Sequence, residues 1–291
     1  MIKLICLVLP WEVFQFQHIC RIFLQGLEYL NDTDRDKIKF QFTYSDIPNQ
    51  IKWNSDKTKI NKGICQSVFK NTCNLMKTYF NVSFELNNNI LGCVGHRRRE
   101  FNKNDYDYCI TFDSDIDFDP KILKSFLLSL DELPITKIKI YKNKIEYPEK
   151  SNYIITPQLP MYWDSTWDSI SKWQYSSWKW EEFKNSSIRY FITKQKKDVN
   201  YIEIDTFKWF GGMFPCYPKS FLHEYPLADS LGDGYGSDDT YLMDCAQNDK
   251  NISQIILENL VVFDNRGIAE FFSIRDYFNI KFYRRLHKKI K

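Results

Sequence analysis

Four carboxylates, Asp113, Asp115, Asp117 and Asp119, fall within seven residues, directly after the apolar run Tyr108-Cys109-Ile110-Thr111-Phe112. Carboxylates this close repel one another unless a cation sits among them, and an all-oxygen donor set suits a hard divalent ion such as Mg2+ or Mn2+. A solvated acidic turn is the competing reading, but a β-favouring run leading into the acids points to a buried strand that delivers them to a site. A second acidic pair, Asp238-Asp239, follows the glycine-rich stretch Gly232-Asp233-Gly234-Tyr235-Gly236-Ser237. A carboxylate at a helix start can act as a general base, or be an N-cap with no chemical duty. Gly211-Gly212 is either a backbone that a ligand can approach closely or a plain turn. Just upstream of the acidic strand, Arg97-Arg98-Arg99 can set a guanidinium against an anionic ligand or form a charged helix face.

These groups need a framework. Residues 3–9 read as a strand, and 14–30 carry apolar residues at helical spacing until Asn31-Asp32-Thr33-Asp34 breaks the pattern. Residues 37–44 (KIKFQFTY) alternate as a second strand that ends at Ser45-Asp46-Ile47-Pro48. Helices are expected over 62–80, 121–130 and 238–247, a short apolar piece over 90–94, a strand or hairpin over 135–147, and strands over 201–210 and 255–263. Strands and helices alternate over the first 120 residues, with acids at the carboxyl end of the last strand. That order implies an open α/β sheet with a ligand crevice along its strand ends.

At 291 residues the chain can bury a full core as one elaborated domain. Forty basic and thirty-seven acidic residues leave a net charge of +3, too close to balance to imply nucleic-acid binding. Aromatic residues make up 17%, more than a core alone asks for, which favours ring-stacking surfaces. Five of the eight tryptophans (163, 167, 173, 178 and 180) lie in 153–183, either lining a binding cleft or filling the core of an inserted subdomain. The eight cysteines show no CxxC pair and no zinc spacing, so they read as mostly buried thiols. No secretory signal and no apolar run near the ~20 residues of a membrane span are evident, which leads us to expect a cytoplasmic protein, soluble or peripherally attached to a membrane. Residues 278–291 (FNIKFYRRLHKKIK) form either a membrane-surface patch or an ordinary charged tail.

Taken together, the motifs resemble nucleotide-sugar glycosyltransferases of the GT-A fold. Asp113, Ser114, Asp115, Asp119, Pro120 and Leu123 reproduce the family-2 pattern D-x-D-x-x-x-(D)-P followed by a Leu-bearing helix. Ser114-Asp115-Ile116-Asp117 and Pro120 also resemble the S-D-V-D-L-I-P segment of the beta-1,4-galactosyltransferases, whose F-G-G turn and G-W-G-G-E-D stretch are similar to Phe210-Gly211-Gly212 and Gly234-Tyr235-Gly236-Ser237-Asp238-Asp239. The resemblance implies a single GT-A domain over 1–291: a nucleotide-sugar-binding half (1–120), an acceptor-binding half with a Trp-rich insertion (121–275) and a basic tail (276–291). The fold it implies is a mixed, mostly parallel sheet flanked by helices. Asp115, common to both alignments, becomes the strongest metal ligand, with Asp113 or Asp117 as the second and Mn2+ or Mg2+ as the ion. If the strand ends at Phe112 the pair is Asp113 with Asp115; if it runs on two residues the pair is Asp115 with Asp117. Pro10, Asp46, Arg97, Asp113 and Gly211 are expected at the donor, a UDP-sugar by default. Asp238, Gly212, Trp163 and Trp167 are expected at a glycan or glycoconjugate acceptor, and Asp239 is the expected base of an inverting transfer. The family's later metal-binding His has no counterpart in Val261-Val262-Phe263-Asp264-Asn265-Arg266-Gly267.

Two other D-x-D classes fit poorly. A dehalogenase-type phosphatase wants the motif near the start of its domain. A calcium loop would need Gly where Phe118 stands and Glu where Lys124 stands. A non-catalytic carbohydrate-binding or nucleic-acid-binding protein using the Trp-rich segment is the alternative from another class.

Overall fold

The structure is a computed structural model and describes residues 1–45, 62–87, 92–114, 116–132, 141–142, 145–146, 152–158, 201–204, 213–231, 238–249 and 251–264. Strand β1 (Ile2–Val8) leads through a turn at Pro10–Glu12 into helix α1 (Val13–Gln25), and a tight turn at Gly26–Tyr29 and a short helix α2 (Asp32–Asp36) precede β2 (Ile38–Ser45). Next come α3 (Lys62–Lys77), β3 (Asn81–Asn87), α4 (Cys93–Phe101), β4 (Tyr108–Phe112), β5 (Ile116–Phe118) and α5 (Ile122–Glu132). The remaining elements are β6 (Tyr141–Lys142), β7 (Ile145–Glu146), β8 (Asn152–Gln158), β9 (Tyr201–Ile204), β10 (Met213–Pro218), α6 (Lys219–Glu224), α7 (Asp238–Asn248) and β11 (Ile252–Asp264).

Nine of these strands form one sheet in the order β3-β2-β1-β4-β10-β8-β11-β5, with β9 also paired to β11. Strands β3, β2, β1 and β4 are parallel, and β10 inserts antiparallel between β4 and β8. Since β8 and β11 are parallel and β5 and β9 oppose β11, six of the nine strands run one way. This is the mixed, mostly parallel α/β sheet flanked by helices expected of a GT-A-type chain.

The alternation KIKFQFTY explains how the sheet is covered. Successive residues of a strand point to opposite faces. Phe40 and Phe42 of β2 meet Phe23 and Phe16 of α1, with ring centroids 5.0 and 4.8 Å apart, and Phe16 in turn meets Phe69 of α3. Their neighbours Gln41 and Thr43 point the other way, toward α4, and are also buried. Lys3 of β1 lies on that polar side with no exposed surface. Its Nζ is 3.1 Å from Oε2 of Glu100 on α4 and 2.7 Å from Oδ1 of Asp105.

Several expectations shift in detail. The 14–30 helix stops at Gln25 and tightens into a turn at Gly26, which packs so close to the segment before α5 that a Cβ there would lie 2.3 Å from the Pro120 carbonyl oxygen. Asn31 does not simply break a helix; its Oδ1 accepts the Asp34 amide at 2.8 Å and caps α2. Val94, the last residue of the apolar piece at 90–94, belongs to α4. Strands β3, β5, β8 and β10 are additions to the elements expected from the sequence. In β10 the register shifts between Met213 and Cys216, and Phe214 takes a left-handed φ of 64°. A bulky residue adopts that conformation only when its surroundings fix it. Phe214 is fully buried against Phe112 and Phe118, each 5.1 Å away by centroid. All eight cysteines are free thiols, six of them buried. Among the described residues no helix is long and apolar enough to cross a membrane.

Candidate active site at the end of strand β4

The strand that leads into the acidic cluster ends at Phe112, so Asp113 is the first residue past it. Asp113 lies toward α4, where its Oδ1 is 3.5 Å from Nη2 of Arg97. Arg97 is itself buried, and its Nη1 forms an ion pair with Oδ2 of Asp238, the first residue of α7. One guanidinium therefore joins the end of β4 to the start of α7. Burial alone would disfavour the charge on Arg97; the carboxylates of Asp238 and Asp113 more than offset that.

Beside Asp238, which is almost fully buried, Asp239 keeps part of its surface open to solvent. Its Oδ1 accepts the backbone N–H of Thr240 at 2.8 Å. Desolvation, then the adjacent Asp238 carboxylate, push the Asp239 carboxyl up to about 6, with Arg97 and the Thr240 amide pulling the other way. Two adjacent carboxylates in the first turn of one helix are thus driven to different roles, one locked in an ion pair and one close to neutral-pH titration. The partly positive helix start favours both as anions. A carboxylate in the second state is suited to removing a proton from a hydroxyl.

The other acids of the cluster have separate surroundings. Asp117 sits on β5, where its Oδ1 accepts the Phe118 amide at 2.9 Å and its Oδ2 is 3.4 Å from Nε2 of His18 on α1. Asp119 is buried and starts the turn into α5, accepting the Lys121 amide at 2.8 Å, and burial raises its pKa. Ser114 is buried and donates to Oε2 of Glu12 at 2.6 Å. That bond ties the β4 end to the turn after β1, which Pro10 opens. Asp46, Asp115, Trp163, Trp167, Gly211 and Gly212 lie outside the described residues. Among the described residues no group of three or more His, Cys, Asp or Glu side chains could hold a metal ion. The acidic segment itself offers only oxygen donors, the set a hard divalent ion takes.

Each arginine of the Arg97-Arg98-Arg99 run holds a different element. Arg98 donates to the backbone carbonyls of Leu227 at 2.8 Å and Ala228 at 2.6 Å, and Arg99 pairs with Glu85 of β3. Sequence reasoning passed over Glu12 and His96. Glu12 closes the turn four residues past the end of β1, close enough to be legible as an acid near a strand end. His96 is 2% exposed, and burial first, then Arg99, Arg97, Lys103 and Lys3, hold its pKa well below the usual value. It is a neutral imidazole packed among cations.

No protein-family model matches the chain, and no curated protein sequence matches it. Among solved structures, S. aureus TarS is similar at 10% identity and a TM-score of 0.47, over 94% of this chain and 38% of that one. A TarS 1-349 structure in complex with UDP-GlcNAc matches at 12% identity and TM-score 0.44, over 90% of this chain and 58% of that one. GalNAc-T7 with UDP, GalNAc and Mn2+ matches at 10% identity and TM-score 0.45, over 91% and 43%. This chain thus spans between 38% and 60% of the TarS structures it matches. At these identities and TM-scores the likeness is one of outline alone.

Proposed function

We propose that the chain is a metal-dependent glycosyltransferase that moves a sugar from a nucleotide-diphosphate donor, by default a UDP-sugar, to a hydroxyl of a glycan or glycoconjugate. The observation that carries this reading is the joining, by one buried arginine, of Asp113 to Asp238, the neighbour of Asp239, from segments more than 120 residues apart. Asp239 removes the proton of the acceptor hydroxyl as it attacks, and direct attack inverts the anomeric carbon. Asp115 with Asp113 would hold Mn2+ or Mg2+. This family-2 register is preferred over the galactosyltransferase one because β4 stops at Phe112 and Asp117 is engaged with His18. When bound, the ion would neutralise charge on the departing diphosphate. In this reading 1–120 forms the donor half, 121–275 the acceptor half and 276–291 a basic tail of one domain, with Pro10, Asp46 and Gly211 near the donor and Gly212, Trp163 and Trp167 near the acceptor.

The test is Mn2+-dependent release of nucleotide from a panel of sugar donors, with and without glycan acceptors. Asp239→Asn should keep donor binding and lose transfer by about 10²- to 10⁴-fold, the range of general base catalysis. Because the Asp239 carboxyl titrates at about 6, wild-type transfer should fall as pH drops through that value. Full transfer by Asp239→Asn, or normal Mn2+-dependent donor binding by Asp115→Ala, would overturn the respective assignment. A steep salt dependence of nucleic-acid binding with no turnover would favour the binding-protein alternative.

A further inference from the structure

We infer that Arg97 is a positioning residue, whose guanidinium holds the start of α7 against the end of β4 and so sets the Asp239 carboxylate over the site, instead of binding a donor phosphate. This deepens the glycosyltransferase reading and rests on it for its catalytic consequence.

Three observations carry it. The guanidinium is nearly fully buried, with 8% of its side chain exposed, and its two terminal nitrogens are directed at two carboxylates from distant segments. A fork of this kind suits Arg, whose planar donors hold two acceptors in a fixed relation, whereas Lys offers a single point charge. Its nearest anionic partners are already supplied by the chain: Asp238 is 2% exposed and is matched by this cation, so moving Arg97 to an incoming diphosphate would leave that carboxylate buried without it. The neighbouring arginine strengthens the case. Arg98 grips the Leu227 and Ala228 carbonyls, so α4 holds the chain at 227–228 and again at 238, on both sides of the glycine-rich stretch. Asp239 has no ion pair of its own among the described residues, and its place is inherited from Asp238.

The experiment uses the full chain with two variants, Arg97→Lys and the double variant Arg97→Met/Asp238→Leu. The double variant removes both buried charges and keeps an apolar pair of similar volume, a replacement that folded proteins usually tolerate. Three quantities are read: affinity for UDP with Mn2+, turnover at saturating donor, and amide hydrogen exchange across residues 238–242. The expected result is UDP affinity within about threefold of wild type, turnover lowered about 10²-fold as a small misplacement of a reacting group would do, and faster exchange at the start of α7 in both variants. Weakening of UDP binding by tenfold or more with turnover at saturation retained would make Arg97 a phosphate ligand and overturn the inference. Wild-type turnover and exchange in both variants would make the ion pair passive and overturn it as well. If wild type neither binds UDP nor turns over any donor, the glycosyltransferase reading fails, while the exchange comparison still decides whether Arg97 positions α7.

Discussion

The two faces of the sheet are buried by opposite means. Toward α1 and α3 the strands present phenylalanines, with Phe16, Phe23, Phe40, Phe42 and Phe69 in mutual ring contact. Toward α4 they present Lys3, Gln41, Thr43 and Thr111, all but shut off from solvent, and the helix answers with Glu100, Arg99 and Arg97. The apolar face is held by area removed from water, which is non-directional and tolerant of small displacements. The polar face is held by charges that must meet specific partners, since an unmatched buried ion costs several kcal/mol. Asp113 and Arg97 of the candidate site meet on the second face. A catalytic group set by directional contacts is fixed in place in a way that packing alone does not provide.

Substitutions on each face should break this contrast differently. The largest effect is expected for Lys3→Met, which strips Oε2 of the buried Glu100 of its cation, Arg99 and Lys103 pairing only with Oε1, and should cost about 3–5 kcal/mol in urea unfolding. Adding Glu100→Leu should recover most of that loss, because both buried charges are then gone. On the other face Phe23→Ala should cost about 3 kcal/mol through the cavity it leaves, and adding Phe112→Ala, whose ring centroid lies 5.7 Å away, should deepen the loss. If the ionic pair fails to recover, or the aromatic pair does, the distinction between the faces is wrong. Gly26→Ala should cost less, about 1–3 kcal/mol, because the added methyl must displace the Pro120 carbonyl. The same variant should lower donor affinity if the Asp119-Pro120 turn supports the acidic segment, which titration with UDP and Mn2+ would read. The smallest effect sharpens the contrast by pH. Burial opposes ionisation of Asp105, but Lys3 and Lys39 outweigh it and hold the carboxyl at about 2. Its depressed value means that stability from this group is complete above the unfolded value near 4 and is lost as pH falls toward 2. Asp105→Asn should remove that slope from the acid-unfolding curve, while Phe23→Ala should leave it unchanged.

How much of this was legible in the sequence depends on the face. The aromatic face followed from KIKFQFTY and the helical spacing that precedes it, since hydrophobic period reports where apolar area goes. The same alternation also says that Lys39, Gln41 and Thr43 share a face, but it gives no sign that the face is covered by a charged helix. Mean hydropathy along α4, with three consecutive arginines, points to solvent; only the partners at Glu85, Leu227 and Asp238 turn it inward, and they are remote in sequence. Strand β10 was hidden for a local reason. Pro215 and Pro218 argue against a central strand; the ladder takes Pro215 within the register shift between Met213 and Cys216, and Pro218 at the strand's last position. At the site, the acidic pair and the strand-end acids were found from residue type and order. Their joining through Arg97 was not, because spacing along a chain does not reveal which of three adjacent arginines faces inward.

Arg97 and its partner Asp238 are 141 residues apart in the chain, and the strand that closes the gap, β10, enters the sheet between two strands already far apart in sequence. Sequence separation of this size is slow to close. The parallel half, β1 to β4, is built from consecutive strand–helix units and can gather locally, whereas Asp238 arrives only after β8 and β10 are in place. During synthesis, then, the emerging chain would carry a finished β4 and an arginine facing Asp113 alone for as long as the remaining segment takes to appear and dock. The contact that joins the two halves of the site would form late, with β11 still to follow it out.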